Sequence, residues 1–339
     1  ETIADVAVIP CNSEGNICLD MFEEIIKEYI DRPIKIASII AGSNVTGIKT
    51  DYHKVASLIH KYGGLCFVDF ACSAPYVDIN MHPENEDEYL DAIFFSPHKF
   101  LGGPGSSGVL IFNKKLYKNM IPDNPGGGTV SYTNPWGEHD YFDDIEARED
   151  GGTPAFLQTM KIALSIQLKN QMGTDKMKQR EDEINPIIFK CLENLEGVKI
   201  LAPNNKDRLS IFSFYYEKYH FNLVVKLLND RFGIQTRGGC SCAGTYGHFL
   251  LNVDLNTSHK IKDQISEGCN TDKPGWVRLS VHPTITDTEV AFICNSLNTL
   301  TKNIAEWSKD YKYDMAKNDY VHKLTEPIEK EIIADWFTL

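Results

Sequence analysis

The sequence predicts an α/β fold: a mostly parallel central sheet flanked by helices, then a smaller C-terminal α+β domain. Three observations predict it. Short apolar runs alternate with amphipathic helical patterns over residues 1–120, the signature of β-α units feeding a parallel sheet. A stretch rich in Gly, Pro and Asn, 121–154, breaks that alternation. After it the element order changes to strand, strand, helix, strand, helix. A chain of 339 residues is long enough to bury two cores.

Taken in order, DVAVIP (5–10) reads as a strand. LDMFEEIIKEYI (19–30) reads as an amphipathic helix, with Leu19, Phe22, Ile25, Ile26 and Tyr29 on one face. KIASIIAG (35–42) is a continuous apolar run ending in Gly, the pattern of a strand buried on both faces. Residues 50–62 read as a helix capped by Thr50 and stopped by Gly63. LCFVDF (65–70), DAIFFS (91–96) and SGVLIF (107–112) are further strands. Residues 121–154 form a long loop, and long loops in compact enzymes tend to be functional. A long helix over 155–182 links the sheet domain to the second domain. There VKILAP and RLSIFSFYY read as strands, FNLVVKLLNDRF as a helix, GWVRLSV as a strand and DTEVAFICNSLNTLTKNIAEW as a closing helix. The polar stretch 309–339 reads as an irregular extension. The expected divisions are therefore 1–154, a linking helix at 155–185, a small domain at 186–308 and an extension at 309–339.

Bulk properties exclude several classes. A net charge of −13 argues against nucleic acid or an anionic membrane surface as the main partner. A small anion can still bind through backbone N–H groups and a few basic side chains. No apolar run reaches the roughly 20 residues of a membrane-spanning helix. The start, ETIADVAVIPC, has no basic region and no long apolar stretch, so no signal peptide is expected. Nine scattered cysteines, an odd count, indicate a reducing compartment, cytoplasmic or an organelle matrix, rather than a disulfide framework. Most of them, such as Cys66, are expected in the core.

The segment FFSPHKFLGGPGSSGVLIF carries the most chemistry. An apolar strand ends at Ser96, presents Pro97, His98 and Lys99, then enters a Gly-rich turn. On composition alone Lys99 is either surface punctuation or an amine held at a sheet edge, where it can form a Schiff base. Ser96 and His98 can hydrogen-bond a phosphate. In LCFVDFACSAPYVDI, Asp69 ends another apolar strand, and a carboxylate there is costly unless paired. It is either a turn residue or the partner of a protonated ring nitrogen.

Together these two segments resemble the class-V aminotransferase and cysteine desulfurase (selenocysteine lyase-like) family of pyridoxal 5'-phosphate (PLP) enzymes. That family has a strand-end Asp, then a Ser-x-His-Lys strand end followed by glycines. The resemblance covers roughly residues 5–305 and implies the PLP-transferase type I fold. It implies a PLP-dependent transferase or lyase that acts on an amino acid. The expected activity is cleavage of cysteine or selenocysteine to alanine.

The resemblance assigns Lys99 to the Schiff base, Asp69 to the pyridinium, and Ser96 and His98 to the phosphate. AGSNVTGIKTD is similar to the family's Asn-x-x-Gly stretch, which places Asn44 beside the cofactor and the substrate carboxylate. REDGGTPAF is similar to its Gly-Thr-Pro stretch; Thr153 would help bind the phosphate of a neighbouring subunit, implying a homodimer with shared sites. In QTRGGCSCAGTYGH, family spacing maps Arg237 onto a loop cysteine, Cys242, with Cys240 a second candidate. A thiol beside arginine and the cofactor is expected to be nucleophilic; the other reading of CSC is a tight, inert turn. Zinc needs further close ligands, so no metal is expected. In GWVRLSVHPT, Arg278 matches the family's carboxylate-binding Arg, since a guanidinium grips a carboxylate in a bidentate fork; a surface ion pair is the alternative.

Two departures accompany the match. The chain opens at what reads as a mid-domain strand, so it is expected to be a fragment holding the remaining part of the large PLP-binding domain. Any targeting segment and the family's Gly/Thr phosphate loop would precede it. Second, the family often has Gln three places after the pyridine-binding Asp, facing the cofactor phenol oxygen. Cys72 stands there, and a thiol is a weak donor. The runner-up expectations are a class-V aminotransferase, epimerase or other lyase, for which Cys242 is dispensable, and an inactive scaffold subunit. A sulfur-acceptor protein is the expected macromolecular partner.

Overall fold

The computed structural model describes residues 4–12, 14–271, 273–315, 317–324 and 329–338. The chain divides into two compact units: 1–43 with 49–178, and 44–48 with 179–339.

In the N-terminal unit, helix α1 (Leu19–Glu28) buries Phe22 and Ile26, with Asp20 in its first turn and Lys27 in its last, each at the end its charge favours. Strand β1 (Ile36–Ile40) leads to α2 (Tyr52–Lys61), which buries Val55, Ala56 and Ile59. Strands β2 (Leu65–Asp69), β3 (Ala92–Phe95) and β4 (Val109–Phe112) complete a sheet of order β1-β2-β3-β4. The first three are parallel and β4 is antiparallel. The mostly parallel sheet flanked by helices is as expected. Cys66 and Val68 point from β2 into the core with α1 and α2. Leu65, Phe67 and Asp69 alternate onto the opposite, half-buried face.

Three expectations in this unit need correction. Residues 5–10 form no strand: Val6 and Val8 are exposed and pair with no ladder, and an apolar run without a partner strand stays irregular. Strand β1 is not buried on both faces: Ile36 and Ile40 are exposed because β1 is the sheet edge, covered on one side. The loop 121–154 contains a hairpin, β5 (Val130–Thr133) with β6 (His139–Tyr141), and a short helix α3 (Ile145–Glu149). Buried Arg148 holds it together, donating to the carbonyls of Asn119, Phe142 and Asp143.

The expected long helix is two: α4 (Phe156–Met172) and α5 (Thr174–Glu193). Gly173, at φ +81, breaks it, a conformation that costs glycine little. The unit boundary falls within α5.

The C-terminal unit holds β7 (Val198–Ile200), β8 (Ile211–Tyr216), α6 (Phe221–Phe232), β9 (Arg237–Gly239), α7 (Gly244–Leu250), α8 (Leu255–Ser266), β10 (Trp276–Ser280) and α9 (Asp287–Trp307). Its sheet, β7-β8-β10-β9, is antiparallel throughout. Helices α5, α6 and α9 bury Ile188, Leu227 and Leu297 in one core with Phe212 and Val277 of the sheet. Thr286 and Glu289 close a reciprocal capping box at the start of α9.

The extension is not irregular. It forms a hairpin, β11 (Tyr311–Asp314) with β12 (Asp319–His322), then α10 (Glu329–Trp336). Tyrosines anchor the hairpin: Tyr311 is buried and donates to Asp230, and Tyr313 and Tyr320 pack around His220.

Residues 44–48 belong to the C-terminal unit despite lying between β1 and α2. Their carbonyls are gripped in turn. Arg278 donates to Asn44, Ser213 to Val45, Arg208 to Thr46 and the Leu209 N–H to Gly47. Gly47 sits at φ +74, where a Cβ would fall 2.6 Å from the Leu209 carbonyl oxygen, so only glycine fits.

Candidate active site

The N-terminal unit gathers one group of chemistry-bearing residues. Strands β2 and β3 are parallel, with Asp69 opposite Phe94, so both end at the same edge of the sheet. Ligands of open α/β sheets bind at that carboxyl edge. Asp69 closes β2; Ser96, two places after Phe94, continues the same face beyond β3. Ser96 is extended and starts a 3-10 turn, Pro97–Lys99, whose missing proline N–H suits a first-turn position. His98 and Lys99 are exposed at its end.

The turn is braced rather than loose. A Cβ on Gly103 would collide with the Pro97 carbonyl, so glycine is needed for the chain to fold back there. From α4, Lys161 donates to the Pro104 carbonyl at 2.8 Å. Lys169 lies over the Phe100 ring and donates to the Val77 carbonyl. Burial pushes the Lys169 ammonium down from its ordinary pKa, opposed by Asp78. Nothing in the sequence marked Lys161 or Lys169, because their positions depend on how α4 packs.

The donors fit PLP. Asp69 Oδ1 accepts from the Ala71 N–H at 2.7 Å, leaving Oδ2 for a ring nitrogen. The Lys99 amine makes no hydrogen bond or ion pair among the described residues, as a Schiff-base lysine requires. Cys72 lies half-buried in the turn after β2. Thr153 is exposed in the loop entering α4, where Gly152 N–H donates to Gly127 O at 2.7 Å.

The C-terminal unit gathers the rest. Arg237 and Arg278 are directly opposite on β9 and β10, so both guanidinia rise from one face. Arg237 Nη2 donates to the exposed Cys242 Sγ at 3.1 Å. Arg278 Nη1 donates to the Asn44 carbonyl at 3.1 Å, and the Asn44 amide donates to the Ser241 carbonyl at 2.8 Å. Asn44, Arg237, Cys242 and Arg278 thus form one connected group.

Two further features were not visible in sequence. Ser241 and Cys242 lie at φ +51 and +62, left-handed positions that disfavour side chains and tend to cluster at functional sites. Buried Ser241 Oγ has no partner among the described residues. Cys240, by contrast, packs half-buried beside Trp276 and Val45.

The sequence of residues 1–292 matches the aminotransferase class-V family. The chain belongs to that family. Among curated relatives, probable cysteine desulfurases of Staphylococcus aureus and Halalkalibacterium halodurans are each 28% identical. Those alignments cover 71% of this chain and 55% and 56% of the relatives. The chain therefore spans little more than half their length. Among solved structures, an apo cysteine desulfurase from Thermococcus onnurineus superposes with a TM-score of 0.70 at 24% identity. It covers 88% of this chain and 66% of that one. A cysteine desulfurase from Escherichia coli gives 0.66 at 21%, covering 83% and 62%. These likenesses establish the fold, that shared by these cysteine desulfurases. No helix among the described residues is long and apolar enough to cross a membrane.

Proposed function

We propose that the chain forms part of a PLP-dependent enzyme that cleaves cysteine, or selenocysteine, to alanine. The exposed Cys242 sulfur held against the Arg237 guanidinium carries this reading. Its exposure, and the half-burial of Cys240, favour Cys242 as the reactive thiol.

Bound PLP supplies an aldehyde that captures amines and a ring that withdraws electrons from the captured substrate. Lys99 provides the anchoring amine and then carries protons. Asp69 Oδ2 would accept the hydrogen bond of a protonated ring nitrogen. Ser96 and His98 would donate to the phosphate, and Cys72 would stand toward the phenol oxygen. Arg278, with Arg237 and Asn44 beside it, orients the substrate carboxylate. The Cys242 thiolate attacks the substrate sulfur: an S–S bond forms, the substrate C–S bond breaks with its electron pair passing to carbon, and a proton delivered to that carbon by Lys99 gives alanine. The persulfide passes its outer sulfur to an acceptor protein.

The apolar stripe of α4, Leu157, Met160 and Leu164, is exposed immediately after Thr153. It supports a homodimer in which Thr153 reaches the neighbouring subunit's phosphate.

The test is alanine formation from cysteine in the presence of PLP. Replacing Cys242→Ala is expected to reduce it roughly 100-fold or more. Alanine formation at the unsubstituted rate would remove the persulfide step and favour another lyase or transferase chemistry.

A further inference from the structure

A second pair of thiols belongs to neither group of candidate-site residues described above. Cys191 is on α5 and Cys294 on α9, within the C-terminal unit, and both are half-buried. Cys191 Sγ lies 3.7 Å from the carbonyl oxygen of Cys294 and donates to it. Neighbouring positions on both helices fix this approach: Ile188, Phe189 and Leu192 on α5, and Ile293 and Leu297 on α9, are locked in one core. Both cysteines therefore sit on helices packed into one core, with the Cys191 sulfur directed at Cys294, the approach a bridge between them needs.

We propose that Cys191 and Cys294 are a peroxide-sensitive dithiol that closes into a reversible disulfide tying α5 to α9. Two further observations support it. Hydrogen bonding from Cys191 lowers the Cys294 thiol below its ordinary pKa, whereas the same bond and burial raise Cys191. The Cys191 thiol, donating to the Cys294 carbonyl, keeps its proton, so Cys294 is the attacking sulfur, since the thiolate is the nucleophile. Half-burial admits a small neutral oxidant such as hydrogen peroxide. Cys66, wholly buried and pushed up to about 12 by desolvation, serves as the inert comparator.

The chemistry balances in two steps. Cys294 sulfur attacks one peroxide oxygen; an S–O bond forms, the O–O bond breaks, and hydroxide takes up a proton to leave as water. Cys191 sulfur then displaces the sulfenic oxygen; the S–S bond forms, the S–O bond breaks, and the Cys191 proton leaves in a second water. Two thiols and one hydrogen peroxide give one disulfide and two waters, with two electrons passing from sulfur to peroxide. A dithiol reverses it. The bridge closes a loop of 103 residues, so the oxidised form is expected to melt about 10 °C higher.

The full chain, reduced and desalted, is exposed to stoichiometric hydrogen peroxide and capped with N-ethylmaleimide. Tryptic peptides are then mapped without reduction. The expected product is a Cys191–Cys294 linked peptide that dithiothreitol releases, together with the upward melting shift. Repeating this in Cys242→Ser separates the pair from the proposed sulfur-transfer thiol, and the link is expected to persist. In Cys191→Ser, dimedone is expected to trap a sulfenic acid on Cys294, and the melting shift to vanish. Free, maleimide-capped Cys191 and Cys294 after peroxide treatment would overturn the proposal. So would a link from Cys294 to any other cysteine. Peptide mapping of the unsubstituted chain decides even where a variant fails to fold.

Discussion

Arg208 is 2% exposed, yet among the described residues no carboxylate pairs with it. It donates instead to the carbonyls of Asn205, Thr46, Leu201 and Ala202, with its guanidinium over the Phe189 ring. Burial pushes it down to about 10, which leaves it cationic at neutral pH. Arg208→Ala strands several buried carbonyls at once, at about 1–3 kcal/mol each. The variant is expected to lose about 3 kcal/mol or more, read from its urea midpoint; a loss under about 1 kcal/mol would show the cage to be dispensable. In RLSIFSFYY nothing marks this arginine, because its acceptors are backbone carbonyls, three of them close in sequence and one at Thr46, and residue type does not encode them. The placement of Asp69 and Ser96 at strand ends, with His98 and Lys99 in the turn that follows, was legible for the opposite reason: strand end and polar group fall in one local string. The strained pair Ser241 and Cys242 was not, because positive φ at a non-glycine leaves no trace in composition.

Helix α6 is capped by His220, whose Nδ1 accepts from the Asn222 N–H at 3.2 Å. Its buried Nε2 has no partner among the described residues, and the surrounding rings are Phe221, Tyr313 and Tyr320. Burial lowers the imidazole from its ordinary value of 6.5, opposed by the Asp319 carboxylate. Unfolded, the ring takes a proton near 6.5; folded, it resists until lower pH. Between those two values the unfolded chain holds more protons, so stability falls as pH falls through that window. The same sign holds for His282, also lowered by burial. His220→Asn keeps a capping acceptor but removes the titration. It is expected to recover about 2–4 °C of the melting temperature lost between pH 7 and pH 5. An unchanged pH profile would show that His220 does not titrate in this window. At this scale the sequence reading succeeded where periodicity was long, as in α1, α6 and α9. It failed where neighbours decide: the run at 5–10 has no ladder partner, Gly173 divides the linking helix, and tyrosine packing orders the C-terminal hairpin.

Across the molecule, the chain crosses between units more often than a linear reading suggests. Segment 44–48 lies between two elements of the N-terminal unit and is bonded into the other one, so Asn44 sits with Arg237, Cys242 and Arg278. Contiguous stretches of sequence do not reveal this bonding, since hydrogen bonds to backbone carbonyls are not encoded in local residue type. The α4 stripe belongs to this scale too. Leu157→Glu places a charge on an exposed apolar face, which costs little in an isolated chain but disfavours burial against a second copy. Light scattering is expected to give a dimer for the parent chain and a monomer for the variant; a monomeric parent would contradict the shared-site reading. The central claim is that Lys99 is the amine that holds PLP. Its most direct test is an absorbance spectrum of the chain with added PLP, followed by borohydride reduction and peptide mass mapping. The account predicts a visible band, lost on reduction, with the reduced adduct on Lys99 and none in Lys99→Ala. An adduct on another lysine, or the same adduct yield in Lys99→Ala, would contradict it.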